Sequence, residues 1–416
     1  MTAVTEGVAA PRRRRSGLRR AALLGPAFVA AIAYVDPGNV AANLTAGANY
    51  GYLLVWVLVA ANATAVLVQY LSAKLGVVTG RTLPELLGEQ LPRPARIGYW
   101  VQAELVAAAT DVAELIGGAI ALNLLFGLPL LVGGLIVGAV SFALLALQSK
   151  RGQRTFETVI VGLLAIIAIG FLSGLVVSPV DWGAAAGGLV PRFEGPGSVL
   201  LAASMLGATV MPHAIYLHSA LVRDRHGRGH DMPTQRRLLK ATRVDVVSAL
   251  LVAGAVNIAM LLLAAASLRG VGGTDSIAGA HTAIVSSLGA GIGVVFAIGL
   301  LASGLASTSV GCYAGSVIMG GLLKVQVPLA TRRLVTMVPG LVILAIGVDP
   351  TWALVISQVV LSFGIPFVLI PLVHLTGQRR LMGEAANPRP VVVLAWLAAA
   401  GVVALNIALI VLTFSG

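Results

Sequence analysis

Charge is scarce in this chain, and so are cysteine and aromatic side chains. Only 11% of its 416 residues are Asp, Glu, Lys or Arg, 5% are aromatic and 58% are hydrophobic. So little charge cannot coat a soluble globule, which makes the chain an integral membrane protein. Its one cysteine, Cys312, excludes an internal disulfide framework and a cysteine-rich metal cluster, and reads as a small buried residue. No HExxH zinc motif is present. Acids are few, 16 against 28 bases, for a net charge of +12. In a membrane chain the location of those bases says more than their sum, and it argues against a nucleic-acid partner.

What is abundant is apolar sequence in runs of about 20 residues, the length that crosses a hydrocarbon core roughly 30 Å thick. Hydropathy and helix breakers place spans near 22–48, 52–73, 98–126, 129–148, 156–178, 197–222, 244–267, 281–320, 334–348, 351–375 and 391–414. The expected fold is therefore an all-α integral membrane protein of eleven transmembrane helices. With the N-terminus cytoplasmic, only Arg192 and Arg269 of the 28 bases face outside, and the C-terminus is external. This fits a multi-pass protein of the cell inner (plasma) membrane. The basic start, "RRRRSGLRRAALLGPAFVAAIA", has two readings, a cytoplasmic anchor or a signal peptide. Cleavage would remove half of the first span, which favours the anchor.

The first span contains "YVDPGNVAANL", residues 34–44, and the sixth contains "LGATVMPHAIYLHSALV", residues 206–222. Asp-Pro-Gly-Asn is also ordinary turn chemistry. Inside a membrane, however, a proline break frees backbone groups, tolerated only where they are buried in protein or line a cavity. Matching breaks in spans one and six suggest two five-span repeats of opposite orientation, with a site at the midplane. The expected organisation is a cytoplasmic tail (1–21), a first repeat (22–178), an external loop (179–196), a second inverted repeat (197–376), and a loop with the eleventh helix (377–416).

Asp36 inside a membrane costs roughly 2.5 to 3.5 kcal/mol on insertion scales, so it points to a site. Asn39 adds a neutral oxygen, Met211 a thioether, and the Ala208 carbonyl is freed where the sixth helix unwinds. A Met is more often packing and an Asn interhelical glue. Together they form an oxygen and sulfur set in which oxygens suit Mg²⁺, Ca²⁺ or Mn²⁺ and the thioether adds affinity for later metals.

Glu104, Asp111 and Glu114 are spaced by seven and three, so they lie along one helical face. Like charges this close in a low dielectric will not all ionise, which suits a proton relay. His213 and His218 can exchange protons or simply be satisfied hydrogen-bonding groups.

"DPGN" and "MPHAIYLHSAL", with "ATDVAELIGGAIALNLLFGLP" in span three and "SQVVLSFGIPFVLIPL" in span ten, resemble the signatures of the Nramp family, in its bacterial branch of proton-coupled divalent metal transporters. The resemblance implies a LeuT-like fold with broken helices 1 and 6, and metal held by Asp36, Asn39, Met211 and the Ala208 carbonyl. It adds Gln358 in an occluded state and the Ala33 carbonyl in an inward-facing one. It also implies proton roles for Asp36, Asp111, Glu114 and His213, with Arg332 and Arg333 pairing with span-three acids; alone, those arginines read as positive-inside anchors. Gln69, His218, Asn257 and Glu104 are expected in gating or support. Span eight departs from the family pattern at Leu305, Ser316 and Gly320, none of them an expected ligand.

The activity implied is secondary import of Mn²⁺ or Fe²⁺ with protons, and no cofactor, enzymatic role or obligatory protein partner is expected. A Mg²⁺ or other cation carrier of the same fold is the nearest rival, since Asp36 would repel an amino-acid carboxylate. A more distant one is an intramembrane serine hydrolase built on Ser303 of "LASG" (301–304) with His374.

Overall fold

The computed structural model describes residues 25–151, 153–274 and 276–415. The basic tail (1–21) and the first residues of span one lie outside the described residues, so neither reading of that segment is tested. All regular structure among the described residues is helical, with no strand.

The first span begins as α1 (Pro26–Ile32), tightens to a 3₁₀ turn (Ala33–Val35), breaks at Asp36 and resumes as α2 (Pro37–Tyr50). Pro37 explains both events: it lacks an N–H to continue the first helix, and its fixed φ suits the first position of the next. The residue before it is driven out of the α region, and Asp36 is extended at φ −71°, ψ 168°. There follow α3 (Val55–Thr79), the short α4 (Leu83–Gln90), α5 (Arg93–Phe126), α6 (Leu130–Arg151), α7 (Gln153–Val177) and the short α8 (Trp182–Gly187). The sixth span repeats the device, with α9 (Gly195–Thr209) ending at Val210 and Met211 and α10 (Pro212–His226) restarting at a proline.

The remaining helices are α11 (Met232–Ser267), α12 (Ile277–Leu288), α13 (Ala290–Leu323), α14 (Leu329–Ile346), α15 (Pro350–Gly377), α16 (Arg379–Met382) and α17 (Arg389–Ser415). Span eight, expected as one helix over 281–320, is two. Gly289, at φ +96°, turns the chain between α12 and α13, a conformation that favours glycine. Span seven runs longer than its apolar stretch, because Arg236, Arg237, Lys240 and the residues around them continue the helix beyond the hydropathy signal.

Among the described residues nine helices, counting α9 and α10 as one, are long and apolar enough to cross a membrane. The eleven-span reading adds the broken α1–α2 segment and α6, whose described apolar part covers Leu130–Leu145.

Helix contacts carry the internal repeat that residue identity hides. α2 packs on α11 as α10 packs on α3, and α1 lies on α7 as α9 lies on α15. α5 and α13 pack extensively on each other. Exchanging spans one with six, two with seven, three with eight and five with ten maps each contact onto its counterpart, as an inverted five-helix repeat requires.

Candidate metal site

The two breaks meet in the interior, and Asp36, Asn39, Ala208, Met211 and Gln358 are all fully buried. Asp36 caps α2: its Oδ1 accepts from the backbone N–H of Asn39 at 2.7 Å and from the Asn39 side-chain amide at 2.9 Å. The same amide nitrogen donates to the carbonyl of Ala208 at 2.9 Å, so one side chain joins the first break to the second. From α15, Gln358 directs its amide toward the other Asp36 oxygen at 3.4 Å. Glycines permit that approach. A β-carbon on Gly38 would overlap the Gln358 amide, and one on Gly207 would overlap the Gln358 backbone carbonyl. Met211 is the residue before α10, three residues beyond Ala208 and directly before Pro212. Ala33 is buried in the 3₁₀ turn, three residues before Asp36.

This arrangement leaves acceptors idle. Asn39 Oδ1 and Gln358 Oε1 are buried with no hydrogen-bond partner among the described residues. Unpaired buried oxygens are costly and rare, and a cation satisfies them. No group of three His, Cys, Asp or Glu side chains able to hold a metal occurs among the described residues. The breaks instead bring one carboxylate together with neutral carboxamide and carbonyl groups, and Met211 stands in the second break; oxygens of this kind suit hard divalent ions and a thioether later ones.

The surroundings fix the unwound backbone. In an unbroken helix the Val35 carbonyl would accept from Asn39 N–H, which here serves Asp36; Ser303 Oγ donates to that carbonyl instead, at 2.5 Å. Asn257 donates to the Tyr34 carbonyl at 2.7 Å and accepts from Asn43 at 2.9 Å. Gln69 donates to the Tyr34 hydroxyl at 2.5 Å and shares a 2.6 Å hydrogen bond with His218.

The model of the family described as natural resistance-associated macrophage protein-like matches residues 27–412. The chain belongs to the Nramp family. Among its Nramp relatives, the divalent metal cation transporter MntH of Mycobacterium tuberculosis is 61% identical over 95% of this chain and 92% of its own length. MntH of Bacillus subtilis is 48% identical over 94% and 92%. In structure the chain is similar to the Eremococcus coleocola manganese transporter, with TM-score 0.85 and 31% identity over 96% of this chain and 88% of that one. It also shares a fold with Mhp1, a nucleobase-cation-symport-1 family transporter, at TM-score 0.56 and 16% identity over 94% and 93%.

Beside the break of this Nramp chain runs the acidic face of α5. Asp111 Oδ1 lies 3.2 Å from Arg333 Nη1, and Arg333 Nε donates to Ser141 at 2.9 Å. Glu104 meets Arg332 through two contacts, at 2.7 and 3.0 Å. Arg333 is fully buried and Arg332 nearly so, which sets both apart from solvated positive-inside anchors. Glu114 is buried against Asp111, and apart from that carboxyl neither of its oxygens has a hydrogen-bond partner among the described residues. His213 touches Thr110 at 3.4 Å through Nδ1, while its Nε2 has no partner among them.

Three features escaped the sequence. Ser303, read there as a rival nucleophile, serves the Val35 carbonyl, whereas His374 is exposed in the last turn of α15 beside Gln378. Asp245 accepts from the N–H groups of Gly25 and Ala27, both at 3.0 Å, and so holds the start of α1. Glu157 and Arg225 pair at 3.0 Å. The only signal for Asp245 and Glu157 was an isolated acid near the end of an apolar run, which resembles any helix boundary.

Proposed function

We propose that this chain imports divalent transition-metal ions, Mn²⁺ or Fe²⁺, together with protons across the plasma membrane. The observation that carries this reading is the pair of idle oxygens, Asn39 Oδ1 and Gln358 Oε1, beside the buried Asp36 carboxylate where the two breaks meet. The names of the relatives, transporters of divalent metal and of manganese, support the same cargo.

In this reading the ion sheds part of its hydration for Asp36, Asn39, the Ala208 carbonyl and the Met211 thioether. Gln358 joins when the site is closed and the Ala33 carbonyl when it faces inward. The oxygens alone would take Mg²⁺ or Ca²⁺ equally well, so the thioether is the selective element. With the N-terminus cytoplasmic and the C-terminus external, an inside-negative potential favours a divalent cation by about 4.6 kcal/mol per 100 mV. The five-helix units are assigned to 22–178 and 197–376.

Protons take a separate route in this scheme. Asp36 gives up its proton toward Glu114 and Asp111, with His213 beside them, and the Arg333–Asp111 and Arg332–Glu104 pairs form the cytoplasmic exit. Gln69, His218 and Asn257 hold the unwound segment of span one through Tyr34. The test is uptake by the purified protein in liposomes, with Mn²⁺ competed by Ca²⁺ and Mg²⁺, with and without a pH gradient. Mn²⁺ uptake raised by external acid and resistant to excess Ca²⁺ is expected. Equal competition by Mg²⁺ would transfer the reading to a magnesium carrier, and failure to accumulate any divalent ion would end it.

A further inference from the structure

Away from the metal site, α17 leaves a gap in the bundle. Asn406 pins it to α15, accepting from the Ser362 hydroxyl at 2.8 Å and donating to the Ser362 carbonyl at 2.9 Å. α17 packs on α9 through Leu409, which is buried with Val199 and Ala203, while the neighbouring face of α17 carries mostly small residues. Between α3, α9 and α17 lies an apolar cavity of about 500 Å³, lined by Trp56 and Thr64 of α3, Ala202 and Leu206 of α9, and Gly401 and Ala404 of α17. It follows α3 from its first turn toward mid-length, about 12 Å at a rise of roughly 1.5 Å per residue. Few polar groups face it, so ordered water would lack partners there, and an empty space would forfeit dispersion contacts along its whole lining.

One end of the gap is built like a membrane interface. Trp56 and Phe193 form an edge-on aromatic pair with centroids 5.4 Å apart. Trp56 Nε1 donates to the carbonyl of Arg192 at 3.3 Å, which fixes the Arg192 backbone at the rim. Arg192 is exposed and has no ion pair among the described residues. Aromatic rings and arginine together mark headgroup depth, and a free guanidinium there suits a phosphate.

We propose that a phospholipid with an anionic headgroup seats one acyl chain between α3, α9 and α17 and sets its headgroup against Arg192. The chain lies against Leu206, two residues before the Ala208 carbonyl on the same helix. Exposed Glu194, two residues beyond Arg192, opposes the headgroup charge and so limits the preference for anionic lipid. The second-copy alternative requires a helix to enter a gap whose lining belongs to three helices.

The test uses the full-length purified protein in detergent, titrated with phosphatidylglycerol or with phosphatidylcholine of the same tails, with bound lipid counted by native mass spectrometry. Phosphatidylglycerol should bind about fivefold more tightly, the contribution of one basic side chain near a membrane surface. Arg192→Gln should erase that preference without abolishing binding, and Glu194→Gln should increase it. A β-carbon at Gly401 meets nothing within 4 Å, so Gly401→Leu can begin its side chain in the gap; it should weaken both lipids. Ala404→Val, read alongside thermal unfolding, repeats the test at a second position. Equal binding of the two lipids, undiminished binding to both filled variants, or a dimer that Gly401→Leu dissociates would each overturn the proposal. Lipid binding here is independent of metal transport, so a chain inactive in uptake still reports it.

Discussion

Arg333 and Asp111 form an ion pair at 3.2 Å in which the arginine side chain is wholly buried and the carboxylate nearly so. Such a pair is hard to justify by stability alone, because desolvation offsets most of its attraction, yet removing one partner strands a buried charge. Asp111→Asn is therefore expected to cost about 3 to 5 kcal/mol of stability and to suppress proton flux. Asp111→Asn combined with Arg333→Met should recover thermal stability without recovering flux, because it removes the stranded charge but not the loss of the carboxylate. Flux into proteoliposomes carrying a pH-sensitive dye, measured alongside thermal unfolding, distinguishes the two effects. A single variant with parental flux and parental pH dependence would remove Asp111 from the relay.

The thioether of Met211 should matter for choice among ions more than for passage. Met211→Ala is expected to retain some Mn²⁺ uptake while lowering the preference over Ca²⁺ and Mg²⁺ by about tenfold, equivalent to roughly 1.4 kcal/mol. Competition assays on initial rates read this directly. Parental selectivity in the variant would mean that oxygens and cavity size alone set the choice.

Gly38 leaves room for Gln358. In Gly38→Ala the added methyl overlaps the glutamine amide, so that side chain must turn from Asp36 or the backbone must shift, at about 1 to 3 kcal/mol. Mn²⁺ affinity measured by calorimetry should fall. Pairing Gly38→Ala with Gln358→Ala should relieve the crowding yet leave affinity low, since the carboxamide is then missing. Parental affinity in the double variant would show that Gln358 plays no part in holding the ion.

Ser303 stands in for a lost backbone donor. Ser303→Ala leaves the buried Val35 carbonyl without its hydroxyl partner and is expected to cost about 1 to 3 kcal/mol, visible as a lower unfolding temperature. Uptake should weaken as the break loses definition, whereas a fluorophosphonate probe should leave the parent unlabelled. Labelling at Ser303 would revive the hydrolase reading.

External acid should raise metal uptake at a fixed membrane potential. The sign follows from symport: a proton entering down its gradient adds its free energy to that of the metal, and reversing the gradient subtracts it. Initial rates under a potential clamped with valinomycin check this. Rates independent of gradient direction would remove the coupling.

The sequence by itself determined that this chain belongs in a bilayer, that spans one and six break, and which polar side chains stand at those two breaks. Apolar run length and proline stereochemistry act locally, so 11% charge, Asp36 before Pro37 and Met211 before Pro212 were enough for that reading. The seven- and three-residue spacing of Glu104, Asp111 and Glu114 likewise placed three acids on one face of a helix.

Tertiary structure alone decided what meets what. Asn39 reaches Ala208 across 169 positions of chain, Ser303 reaches Val35 across 268, and Arg333 reaches Asp111 across 222. Hydropathy sums residues along the chain and has no term for a partner brought close by packing, which is why Ser303 looked like a stray nucleophile and Asp245 like a helix end. The split at Gly289 was hidden for a related reason: both sides of the turn are apolar, and one positive φ leaves no trace in a hydropathy profile.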